Sequence, residues 1–108
     1  MMIDIEERNP VWLKDKGDHF FEKNDFKAAI NAYTKAIEND KDFIKAYLNR
    51  ATCLLLIRRP EETLKDCEKI EEIIAGLKDQ EKEDTFYKRV RVRATVKRAA
   101  AKAWLSMF

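Results

Sequence analysis

The sequence predicts an all-α fold made of repeated helical hairpins, and three observations point there. Only two Gly and two Pro interrupt 108 residues, while 39% are charged, a balance that suits helices with solvated faces and not turn-rich β architecture. Apolar residues recur at helical spacing, as in Phe26, Ile30 and Tyr33. The chain also resembles itself at an offset of 34 residues: Leu13 falls on Tyr47, Gly17 on Ala51, Phe20 on Leu54, Ala29 on Thr63, Ile30 on Leu64, Tyr33 on Cys67 and Ala36 on Ile70. With 45% apolar and 10% aromatic residues, one packed domain is expected.

The elements follow in order. Residues 1–8 are expected to form an N-terminal tail. Asn9-Pro10 is an N-cap followed by proline at the first helical position, where the missing N–H costs nothing, so a first helix is predicted over 10–23. Asn24-Asp25 turns the chain into a second helix over 26–38. Gly17 marks a close approach between the two, with Ala29 as the matching small contact and Phe20, Phe21 and Tyr33 filling the space. The polar run 39–42 ends repeat 1, assigned to 9–43. Repeat 2, assigned to 44–78, has helices over 43–57 and 60–78 joined at Arg58-Arg59-Pro60. In the remainder, 79–108, Ala99 is placed at the close-approach position held by Gly17 and Ala51. It lies 48 residues beyond Ala51, so about 14 residues, roughly 76–90, are inserted, and longer flanking helices are expected to absorb them. The chain then ends where the third unit's first helix ends. Val96, Ala99, Ala103, Trp104, Leu105 and Phe108 would lack a covering helix, and a homo-oligomer through this segment is expected.

Several function classes fall away. No uncharged stretch exceeds seven residues, far short of the roughly 20 a membrane span needs. Met1 to Arg8 lacks the apolar core of a secretory signal, so a cytoplasmic protein is expected. Two cysteines and one histidine cannot assemble a four-ligand zinc site, and Cys53 and Cys67 are expected to be buried free thiols. No nucleophile elbow and no phosphate-cradling glycine loop is present, so neither an enzyme nor a cofactor is expected. The net charge of +2 combines +7 over residues 88–108, which contain no acid, with −5 over the first 87. Tyr87 and Trp104 stand at the edges of that basic segment without interleaved stacking aromatics, which disfavours nucleic acid as a partner.

The repeat resembles the tetratricopeptide (TPR) family, with its W-x2-L-G-x2-Y, A-x3-F and P pattern. Leu13, Gly17, Phe20, Ala29-x3-Tyr33 and Ala36 carry the match in the first unit, and Tyr47, Ala51, Leu54, Leu64 and Ile70 in the second. Lys16, Arg50, Lys41, Ala75 and Thr63 depart from it. The resemblance implies a right-handed superhelix of stacked hairpins whose first helices line a concave groove. The strings from Asn9 to Gly17, Ala28 to Tyr33 and Tyr47 to Ala51 are similar to the C-terminal TPR domain of the dynein axonemal assembly factor 4 family. That similarity implies a chaperone adaptor in dynein arm preassembly, and a larger protein with a CS-type domain ahead of the repeats.

Carboxylate-clamp members of the TPR family hold the acidic C-terminal tail of Hsp90 or Hsp70. On that resemblance, the peptide-binding residues are Lys14 on the first helix, Asn49 on the third, and Arg93 with Lys97 on the last, with Lys45 one turn before Asn49 as a further cation. Asp18 stands where the clamp has an asparagine. Two carboxylates about 4 Å apart at an effective dielectric near 20 repel by up to about 4 kcal/mol, so Asp18 is expected to weaken the site. It favours the alternative of a TPR scaffold that binds a segment without a terminal carboxylate.

Overall fold

A computed structural model of the chain describes residues 8–107, and within these every regular element is helical. The Asn9 side-chain oxygen accepts the N–H groups of Val11 and Trp12 at 2.9 and 3.3 Å and starts α1, Pro10–Glu22, with Pro10 in its first turn. Asn24, in the left-handed region at φ 62°, reverses the chain, and the Asp25 carboxylate accepts the Ala28 N–H to open α2, Phe26–Asn39. The second hairpin repeats the device. After α3, Ile44–Leu56, the chain turns at Arg58, φ 64°, and re-enters a helix at Pro60 in α4, Pro60–Ala75.

Close approach within the first hairpin requires Gly17, since a Cβ there would stand 2.5 Å from Cε1 of the Tyr33 ring. Ala29, Ala36 and Ala51 are fully buried. A continuous apolar cluster then runs through the domain, from Leu13 through Ile37, Tyr47 and Ile70 to Val90 and Ala94. Tyr33, Cys53 and Ala29 form a second cluster with Phe20, Phe21, Phe26 and Ile30.

Between the hairpins sits a polar link. Arg50 donates to both oxygens of the buried Asp66 on α4, Nε at 2.9 Å and Nη2 at 2.6 Å, and its Nη1 reaches Thr34 Oγ1 on α2 at 3.2 Å. Burial pushes the Asp66 carboxyl above its usual range, and the Arg50 bonds pull against that. Arg50 departs from the leucine of the repeat pattern because here it ties three helices.

The last third differs from the sequence expectation. α4 stops at Ala75 instead of reaching residue 78, and a short α5, Asp79–Lys82, leads into α6, Thr85–Ser106, so only the final helix is lengthened. The inward face of α6 carries Val90, Ala94 and Ala101, whereas Ala99 is exposed. Ala94, 43 residues beyond Ala51, therefore takes the close-approach position, and the insertion is nine residues rather than 14. Of the segment expected to lack cover, Val96 is 62% exposed, and Ala99, Ala103 and Leu105 are also exposed. Trp104 is half-buried beneath the Arg58 guanidinium, 5.6 Å from the ring centroid. Phe108 and the tail residues 1–7 lie outside the described residues.

Two expectations follow from this packing. Gly17→Ala forces the Tyr33 ring aside and lowers stability by about 1–3 kcal/mol in thermal unfolding. Gly76→Ala meets nothing closer than 3.5 Å at an ordinary helical backbone and is neutral or stabilising by up to about 1 kcal/mol; equal losses in the two would contradict the assignment. Arg50→Met leaves Asp66 buried without its counter-ion and costs about 3–5 kcal/mol in urea unfolding, most of which Arg50→Met with Asp66→Leu restores.

Candidate peptide-binding groove

α3 lies between α1 and α6, and the three helices border one open hollow of about 700 Å³. Its apolar lining is the buried Leu48 on α3 and Val90 on α6 with the exposed Phe86 and Val92, and its cations are Lys14, Lys45, Lys88, Arg89 and Arg93. Among the described residues no carboxylate lines it. Lys45 Nζ rests 5.4 Å from the centroid of the Phe86 ring, which fixes this cation beside the apolar lining. Lys88 pairs with Glu83 at 3.0 Å, while Arg89 and Arg93 have no ion pair among the described residues. Cations beside apolar side chains, in partial shelter from water, attract a peptide carrying carboxylates and one or two apolar side chains.

At the α1 end the rim is already engaged. Lys14 Nζ lies 2.8 Å from Asp18 Oδ2, and Asn49 Nδ2 donates to Asp18 Oδ1 at 3.0 Å. The Tyr33 hydroxyl donates to the same Oδ1. The Asp18 bond is the chief reason the Lys14 amine sits above its usual range; burial first, and Asp18 next, push the Tyr33 hydroxyl far above that of an ordinary tyrosine. Asp18 is therefore compensated, with Lys14 one turn away as its counter-ion. With Asn49 and Tyr33 it borders a second hollow of about 390 Å³ next to the first.

The structure thus brings Lys14, Lys45, Asn49 and Arg93 around one hollow, with Asp18 bonded to two of them. Lys97 does not border it. It lies between Ala94 and Ala101 on the inward side of α6, half-buried, and burial followed by the Arg93 charge lowers its pKa. With Ala94 in the close-approach position, the two places assigned to the last clamp pair fall on Lys88 and Val92, so one of them is apolar. Sequence reasoning missed Lys88 and Arg89 in the rim and Tyr33 as a donor to Asp18. The spacing Val90-x3-Ala94, which matches Leu13-x3-Gly17 and Tyr47-x3-Ala51, is the signal that would have found the register. Cys53 and Cys67 are buried free thiols pushed up to about 11, chiefly by burial, and so remain protonated.

The helical hairpins and their 34-residue period have the architecture of a tetratricopeptide-repeat domain. Residues 17–54 match the family described as TPR repeat. Over 69 residues, 64% of this chain, the sequence is 42% identical to dynein axonemal assembly factor 4 of Pongo pygmaeus, and the match spans 16% of that protein's length. It is 39% identical over 60 residues to Hsp70-Hsp90 organizing protein 3 of Arabidopsis thaliana, covering 56% of this chain and 11% of that protein. Among solved structures, the second TPR of Spaghetti (RPAP3) bound to HSP90 peptide SRMEEVD superposes with a TM-score of 0.73 at 26% identity, covering 94% of this chain and 81% of the other.

The inward placement of Lys97 has a measurable consequence. The unfolded chain holds that proton more tightly than the folded one, so stability rises with pH through the window just below 10.5. Lys97→Met should raise the melting temperature at pH 7, and the gain should shrink as the pH approaches 10.5. A loss at pH 7 would show that Lys97 is stabilising where it sits.

Proposed function

We propose that this TPR domain is a chaperone adaptor whose groove binds the acidic C-terminal tail of Hsp90 or Hsp70, and that it serves dynein arm preassembly in the cytoplasm. The observation that carries the reading is a hollow lined by Lys45, Lys88, Arg89 and Arg93 together with apolar side chains and, among the described residues, no carboxylate. Acidic side chains of a tail would meet the rim, and its apolar residue would lie on Leu48, Val90 and Val92. The structural neighbour named for its HSP90 peptide and the relative named for Hsp70 and Hsp90 support the chaperone part. Likeness to dynein axonemal assembly factor 4 supports the dynein part. The role is one of recognition, not catalysis. Among the described residues no helix is long and apolar enough to cross a membrane, and no cluster of metal-ligating side chains is found.

Calorimetric titration with SRMEEVD should give a Kd of about 10–100 μM. Each charge-assisted bond contributes about 1.5–3 kcal/mol, so Arg93→Glu or Lys45→Glu should weaken binding at least tenfold. Lys65→Glu, exposed on α4 and outside the hollow, should leave the affinity within twofold. Equal affinity in all three variants would overturn the groove as the binding site.

A further inference from the structure

The donors at the α1 end already hold a carboxylate, and that carboxylate belongs to the chain itself. We infer that Asp18 fills the place where a ligand's terminal carboxylate would sit, so that the groove reads an acidic partner segment through its Asp and Glu side chains and does not require a free C-terminus. The inference rests on the acidic-peptide reading above and narrows it to a class of partner: acidic stretches inside a chain are bound as readily as acidic tails.

Three helices contribute to the arrangement. Lys14 on α1, Tyr33 on α2 and Asn49 on α3 all donate to the single Asp18 side chain, the lysine to Oδ2 and the other two to Oδ1. A carboxylate offers about four acceptor directions, and three are taken. Lys14 spends a further proton on Asp15 at 3.3 Å. An ammonium and a side-chain amide are the groups that a terminal carboxylate would seek, and both already donate to Asp18, which leaves one ammonium proton and one amide proton. An incoming carboxylate would have to displace Asp18, which is tethered to α1 and cannot diffuse away, or stand beside it against like charge. The rest of the rim is different. Lys45 lies over the Phe86 ring, and Arg89 and Arg93 have no ion pair among the described residues, so the cations left for a ligand lie on α3 and α6.

A purely structural Asp18 would tie the helices together without affecting which peptide end is preferred, and this separates the two roles. SRMEEVD is titrated as the free acid and as the C-terminal amide against the full chain, Asp18→Asn and Asp18→Ala, with helicity checked by circular dichroism. The wild type is expected to bind both forms within twofold. Removing the Asp18 carboxylate should release Lys14 and Asn49 and create a preference of tenfold or more for the free acid; Asp18→Ala covers the case in which an asparagine disturbs Tyr33. A wild type that already prefers the free acid tenfold overturns the inference and leaves the acidic-peptide reading in place, and this ratio decides even if neither variant folds. Folded variants with an unchanged ratio also overturn it. No binding of either form to any of the three proteins removes both readings.

Discussion

Gly17 presents only hydrogen toward the Tyr33 ring, and the ring lies where a Cβ would be 2.5 Å from its nearest atom. That proximity lets α2 approach α1 and carries the Tyr33 hydroxyl to Asp18, the next residue after the glycine. Asp18, steadied by the hydroxyl, in turn gathers Lys14 from its own helix and Asn49 from α3. The packing of the first hairpin and the electrostatics of one end of the groove therefore share a single steric requirement. A side chain at residue 17 would disturb both together.

The second hairpin is fixed by different means. Arg50 and Asp66 satisfy one another with two bonds, and Thr34 takes a third Arg50 donor. Such a link is directional in a way that apolar contacts are not: sliding α4 along α3 by one residue would leave the Asp66 carboxylate buried without its partner. Apolar residues supply the bulk of the cohesion across the domain, and this polar link specifies the register in which they meet.

The first four helices were legible because their ends carry chemistry that acts locally. Asn9 with Pro10, Asn24 with Asp25, and Pro60 each mark a boundary through neighbours a few residues away, and Gly17 with Ala51 sets the period. The last helix was legible as a helix but not in its rotation. Alanines at 94, 99, 100, 101 and 103 are small on every side, and Val96, apolar yet 62% exposed, drew the buried face toward the wrong stripe. Asp18 has its counter-charge one turn away in Lys14, a spacing the sequence shows, but its other two bonds come from Tyr33 and Asn49, 15 and 31 residues distant, and no local pattern announces such partners.

The shallow seating of α6 bears on motion. Only Val90, Ala94 and Ala101 of its 22 residues are buried, against seven of 13 in α3, and its polar ties to the hairpins include one exposed ion pair, Arg98 to Glu71 at 2.7 Å. Segments with few buried apolar contacts open at lower free energy than the core, so the amide hydrogens of α6 exchange through local excursions that leave α1 to α4 intact. Since α6 is also one wall of the groove, the concavity is partly a fluctuating quantity. A peptide that bridges α3 and α6 gives up some of its binding free energy to quiet that wall, and its dwell time reflects how well it does so.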